Sequence, residues 1–181
     1  MALPRSEDKR KAILKAAAKA VAEKGINAPT ASIAKTAGVA EGTIFTYFKN
    51  KDDLLNEVYL DIKKEMSEMM NGCAGADRGA QLEYFWKRYV YWGVQFRERY
   101  SAMVQLSVSE VITPENKKTG SGMFAAMHTL LEAEDCSYHF PSAVLGSLAD
   151  TTIRFMINNP DNMEAYADAG FRAFWAALGA I

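Results

Sequence analysis

Thr30-Ala-Ser-Ile-Ala-Lys-Thr-Ala-Gly-Val-Ala-Glu-Gly-Thr-Ile-Phe-Thr-Tyr-Phe-Lys-Asn-Lys51 is the stretch that decides the fold. Thr30 is placed to cap a short helix over Ala31 to Ala37. Gly38 supplies the left-handed backbone that a sharp turn needs and that a Cβ disfavours. A second helix is expected over 41–48, with Ile44 and Phe48 one turn apart on its inner side. Ala34 leaves room for the two helices to cross closely. Together these demands describe a helix-turn-helix, whose second helix enters the DNA major groove. With Ile44 and Phe48 turned inward, Gly42, Thr43 and Thr46 would face the groove. Gly42 permits close backbone approach, and Thr43 offers a hydrogen bond or a methyl to a base edge. Thr30 and Ser32 admit two readings, helix capping or contact with a phosphate. Glu41 likewise serves either the helix end or a cytosine amino group.

Working outward, the pattern is helical throughout: all-α, with about nine helices and no strand alternation. Ser6 is set to cap the first helix, in which Ile13, Ala17, Ala20 and Val21 form a buried stripe, and Gly25 ends it. Asn50 caps a long helix carrying Leu54, Val58, Ile62 and Met66, which stops near Asn71-Gly72. Gly75 and Gly79 mark a linker. Further helices are expected from Arg78 to Glu98, from Ser101, from Thr113-Pro114, from Pro141 and after Asn158-Asn159-Pro160. Between them, Glu134 to Tyr138 is polar and irregular.

Several of these residues resemble the N-terminal signature of the TetR (tetracycline-repressor-like) regulators: Gly25, Ile33-Ala34, Ala37-Gly38-Val39, Gly42-Thr43-Ile44, Tyr47-Phe48, Lys51 and Leu54-Leu55. The likeness covers roughly residues 10 to 60. It implies a helix-turn-helix DNA-binding domain over 1–55 and an effector-binding and dimerisation domain over 56–181. It also implies phosphate contacts from Tyr47 and Lys51, and a homodimer formed by the last two helices, where Gly170 and Ala173 allow close approach. Two positions depart from the pattern. Ala40 stands where a Ser or Thr cap is common. Phe45 replaces a Tyr, losing a hydroxyl that relatives direct at a phosphate.

Charge agrees with such a division. The chain of 181 residues has a net charge of -1. Residues 1–51 hold ten Lys/Arg against four Asp/Glu, and residues 52–181 hold eleven against eighteen. A head of +6 on a body of -7 suits a nucleic-acid reader. The start of the chain lacks a signal-peptide pattern and no run approaches the ~20 apolar residues of a membrane span, so a cytoplasmic protein is expected. Cys73 and Cys136 are isolated, with no zinc or redox spacing.

The second half is rich in aromatic and sulfur side chains, which serve a packed core or line an adaptable cavity. Among them Tyr89, Trp92, Met103 and Met127 are the expected contacts for a small hydrophobic or aromatic effector. His128 and Glu132 share a helical face, which suits either half of a metal site or an exposed pair. No third ligand, nucleophile pair or phosphate loop accompanies them, so no catalytic site, metal or cofactor is expected. The resemblance thus implies a repressor released from a palindromic DNA operator by an apolar ligand. The alternatives are a ligand-independent DNA-binding protein of the same fold, or a helical enzyme.

Overall fold

The computed structural model describes residues 6–70, 72, 77–132 and 141–179. Asn71, Gly75, Cys73, Cys136, His139, Arg5 and the segment Glu134 to Tyr138 lie outside these residues. The described chain is all helical, with ten α-helices and one 3-10 turn. They are α1 (Glu7–Lys24), α2 (Thr30–Ala37), α3 (Glu41–Tyr47), α4 (Lys51–Met70), α5 (Arg78–Gln95), α6 (Arg97–Ser107), α7 (Pro114–Gly122), α8 (Ala125–Leu131), α9 (Pro141–Asn158) and α10 (Met163–Ala177). The 3-10 turn is Pro160–Asn162. No helix among the described residues is long and apolar enough to cross a membrane. Two compact units emerge, one from Met1–Glu65 with Arg97–Met123, the other from Met66–Phe96 with Phe124–Ile181.

Helix ends follow local chemistry. Asn50 Oδ1 accepts from Asp53 N at 2.8 Å, while Asp53 Oδ2 accepts from Lys49 N at 2.9 Å, so α4 starts with a reciprocal cap. Asp77 caps α5 through Ala80 N, and Thr113 caps α7 through Asn116 N ahead of Pro114. Ser6 precedes α1 but makes no side-chain cap.

Two expected helices are divided. The expected Arg78 to Glu98 helix breaks at Phe96, whose φ of -115° and ψ of 53° leave the helical region. Ser101 therefore lies inside α6 rather than opening it. Beyond Thr113 the chain breaks again at Phe124, after a Thr-Gly-Ser-Gly run of poor helix formers, and α8 makes the tenth helix.

In the first unit, Ile13, Ala17 and Val21 of α1 are fully buried, as are Leu54 of α4 and Leu106 of α6. α1 packs on both α2 and α6. Asn56 is the buried polar residue of α4. Its amide nitrogen donates to Asp52 O and Val111 O, both at 2.8 Å. Its oxygen accepts from Thr113 N at 3.0 Å and from Asn116 Nδ2 at 2.8 Å. All four hydrogen-bonding positions of the amide are thereby used. Further along α4, Arg99 Nη2 lies 2.6 Å from Asp61 Oδ2, and its Nε lies 3.1 Å from Glu65 Oε2 at an angle too bent for a hydrogen bond. Gly120 of α7 is buried where a Cβ would come within 2.8 Å of Tyr59 of α4.

In the second unit, α5, α9 and α10 pack around Trp86, which is fully buried. Its indole N–H donates to Ala167 O at 2.8 Å, and its ring stacks on Phe174 at 5.6 Å between centroids. Gly170 makes this crossing possible. A Cβ there would stand 2.3 Å from Thr152 Oγ1 and 2.6 Å from Trp86 Cζ2. The close approach expected of Gly170 is therefore made to α5 and α9 of its own chain. Gly170→Ala should destabilise the protein by about 1–3 kcal/mol through overpacking, opposite in sign to the usual Gly-to-Ala change in a helix. Urea unfolding monitored by tryptophan fluorescence checks this, and an equal or raised midpoint would contradict it.

Candidate nucleic-acid interface

The turn between α2 and α3 is built on Gly38, with φ 68° and ψ 32°. Val39 N reaches back to Ala34 O at 3.0 Å, satisfying a carbonyl at the end of α2. Ile33, Ala34, Ile44 and Phe48 are buried. Burial of Ile44 and Phe48 leaves Gly42, Phe45 and Thr46, spaced i, i+3, i+4, as an exposed stripe on α3. A Cβ at Gly42 would meet nothing within 4 Å. Phe45 is 47% exposed, in contrast to 2% for Phe48.

The hydroxyls differ in what they have left to offer. Thr30 lies inside α2, behind Pro29 at the cap position, and its hydroxyl donates to the Glu41 carboxylate. Glu41 thus ties the starts of α2 and α3 together and supports the first turn of α3, which the uncapped Ala40 leaves open. Ser32 Oγ donates to Pro29 O at 2.8 Å, and Thr46 Oγ1 to Thr43 O at 2.7 Å. The Thr43 side chain has no hydrogen-bond partner among the described residues. Tyr47 Oη accepts from Ser6 N at 3.0 Å, binding the start of α1 to α3 while its own proton remains available. Lys51 opens α4 half-buried and forms no ion pair among the described residues.

Arg10, in the first turn of α1, is engaged within the chain. Its guanidinium pairs with Glu57 of α4 and lies 5.7 Å from the centre of the Phe48 ring. It is a strut holding α1, α4 and the end of the α3 segment in register. A conserved-looking spacing would not have disclosed this, because the partner is 47 residues away.

The expected effector residues fall in both units. Tyr89, Trp92 and Met127 belong to the second and Met103 to the first. Trp92 and Met103 are buried, and Trp92 lies against Phe96 at 6.3 Å between ring centroids. Tyr89 is half-buried, and loss of solvation, followed by the nearby Asp150 charge, pushes its phenol up to about 12. It stays a neutral donor at physiological pH. Phe155 is 53% exposed, and its ring centroid lies 5.5 Å from that of Tyr166. Among the described residues no three of His, Cys, Asp and Glu gather as a metal site.

Comparison with known proteins agrees with this geometry. Residues 13–58 match the family of bacterial regulatory proteins, tetR family. The uncharacterized HTH-type transcriptional regulator YhgD of Bacillus subtilis (strain 168) is 44% identical over 64 residues, covering 35% of this chain and 34% of YhgD. The chain thus aligns with about a third of the length of that relative. A TetR family transcription regulator of Marinobacter aquaeolei VT8 shares the fold with a TM-score of 0.79 at 20% identity, over 95% of this chain and 96% of its own. LfrR of Mycobacterium smegmatis, solved in complex with proflavine, gives 0.69 at 20% identity, over 94% and 97% of the two chains. Residues 13–58 thus carry the helix-turn-helix of the tetR family, and the chain shares its fold with solved regulators of that family.

Proposed function

We propose that this protein is a homodimeric, DNA-binding transcription regulator that represses from a palindromic operator and is released by a small, largely apolar effector. The observation that carries the DNA-binding reading is the exposed face of α3, with an unobstructed Gly42, in a head of +6. Residues 1–55 form the DNA-binding domain and 56–181 the effector-binding and dimerisation domain in this reading. Thr30, Ser32, Thr43, Tyr47 and Lys51 contact the duplex, with Tyr47 and Lys51 on phosphates, while Gly42 and Thr46 lie against the bases. Thr30, Ser32 and Thr46 approach as acceptors or through their methyl and methylene groups, since their protons are engaged within the chain. Such a protein works in the cytoplasm.

Dimerisation is assigned to the outer faces of α9 and α10. Exposed Phe155 on α9 and exposed Ala165, Ala169 and Ala173 on α10 support this. A two-fold pair of heads would then meet two half-sites. The relative solved with proflavine supports a small-molecule effector, and Tyr89, Trp92, Met103 and Met127 remain the contacts we assign to it. Effector binding favours one head spacing over another, which is a shift of populations.

Duplexes enriched from a random pool by the full chain provide the probe. Lys51→Ala should weaken all of them and reduce the slope of log affinity against log salt by about 0.9. Gly42→Ala should leave thermal stability equal or higher, by up to about 1 kcal/mol, and yet abolish tight binding, because the new methyl meets only the duplex. Retained binding in both variants would overturn the assignment of α3. Phe155→Asp should convert a sedimenting dimer to a folded monomer by burying an unpaired charge. A thermal-shift screen of apolar metabolites should find ligands that stabilise the fold by roughly 2.7 kcal/mol at a hundredfold excess over Kd and that also lower operator affinity. Binders that leave operator affinity unchanged would refute effector control.

A further inference from the structure

Resting on the DNA-binding reading above, we propose that Phe45 is a specificity-determining residue that reads the 5-methyl group of thymine. Discrimination by α3 is then chiefly apolar. The ring projects from the middle of α3, 47% exposed, on the same stripe as Gly42 and Thr46. It has no hydrogen-bonding atom, so a phosphate is no partner for it. The rest of the stripe is equally poor in free polar atoms. Gly42 has no side chain, and the Thr46 proton is held by Thr43 O at 2.7 Å, which leaves the Thr46 methyl and an acceptor oxygen. Among the described residues of α3, Thr43 keeps a hydroxyl with no partner in the chain. Glu41, the one ionised side chain of the helix, is engaged with Thr30.

A duplex offers few matching surfaces to such a face. In the major groove, the apolar element displayed at base edges is the thymine methyl, and Phe is among the side chains that contact it. Bidentate reading of guanine or adenine needs an Arg, Lys, Asn or Gln, and α3 contains none of these. The surface therefore selects half-sites in which thymine lies opposite Phe45, with hydrogen-bonded reading reduced to Thr43.

The test uses the full chain and the duplex enriched from a random pool. Each thymine is replaced in turn by deoxyuridine, which removes one methyl and alters nothing else. For the wild type, one position per half-site should weaken binding about fourfold, the value of one buried methyl-sized group. Phe45→Ala should bind the thymine duplex about as weakly as the wild type binds a duplex with deoxyuridine at that position in both half-sites. It should show no preference between the two and keep the wild-type salt slope. Because Phe45 is exposed, its circular dichroism and melting should be unchanged. Wild-type indifference to every deoxyuridine would overturn the proposal. So would equal weakening of both duplexes by Phe45→Ala, which would place the ring against sugars. A changed salt slope would also overturn it. If no duplex is enriched at all, the regulator reading itself fails and this proposal with it.

Discussion

Gly38 holds a backbone conformation of φ 68° and ψ 32° that residues with a Cβ rarely adopt, and the head is arranged around it. From that turn α3 leaves at an angle that buries Ile44 and Phe48, and Ile33 of α2 is buried as well. With Ile44 of so short a helix and Phe48 at its end turned inward, the identity of the outward set follows from 3.6-residue periodicity alone. The exposed stripe of α3 is therefore a consequence of the turn and of the buried pair, more than of any property of Gly42 or Thr46 themselves. Ala34 matters in the same way, since a larger side chain at this buried position would force the helices apart.

Around this scaffold most of the small polar groups are already engaged. Thr30, Ser32, Thr36 and Thr46 all donate within the chain. These bonds are exposed and individually weak, of order 1 kcal/mol or less. Their importance is directional. They fix which lone pairs and methyls face outward, so the head presents a defined pattern of acceptors and apolar groups before any ligand arrives. In the proposed reading, the ionised groups that remain free, such as Lys51, would supply affinity without sequence preference.

The head was legible in the sequence because its demands are local. A glycine with a small residue four positions earlier and two inward apolar positions one turn apart have few other solutions. Asn50 as a cap and the 54–58–62–66 stripe of α4 were legible for the same reason. The second half yielded less. Gly170 has one sequence signature whether it admits a neighbour from its own chain or from another, and only the distances to Trp86 and Thr152 distinguish the two. Phe155 shares a helical period with buried residues yet faces outward. The break at Phe96 has no Gly or Pro to announce it. Asn56, Arg10 and Arg99 were missed because their partners are distant in sequence, and a polar residue within an amphipathic helix looks like solvent-facing surface until its partners are seen.

Asn56 and Arg99 together constrain how α4 can move within the first unit. Asn56 grips the strand of chain from Val111 to Asn116, and Arg99 grips Asp61 and Glu65 between one and three turns further along. A helix fastened at a single point can pivot about it. Fastened at two points some 7–14 Å apart along its axis, by the rise of 1.5 Å per residue, it cannot roll or swing without carrying both attached segments along. The first four turns of α4 therefore behave as one beam with α6 and the loop after it. Lys51, at the tip of that beam, moves only when the whole assembly moves.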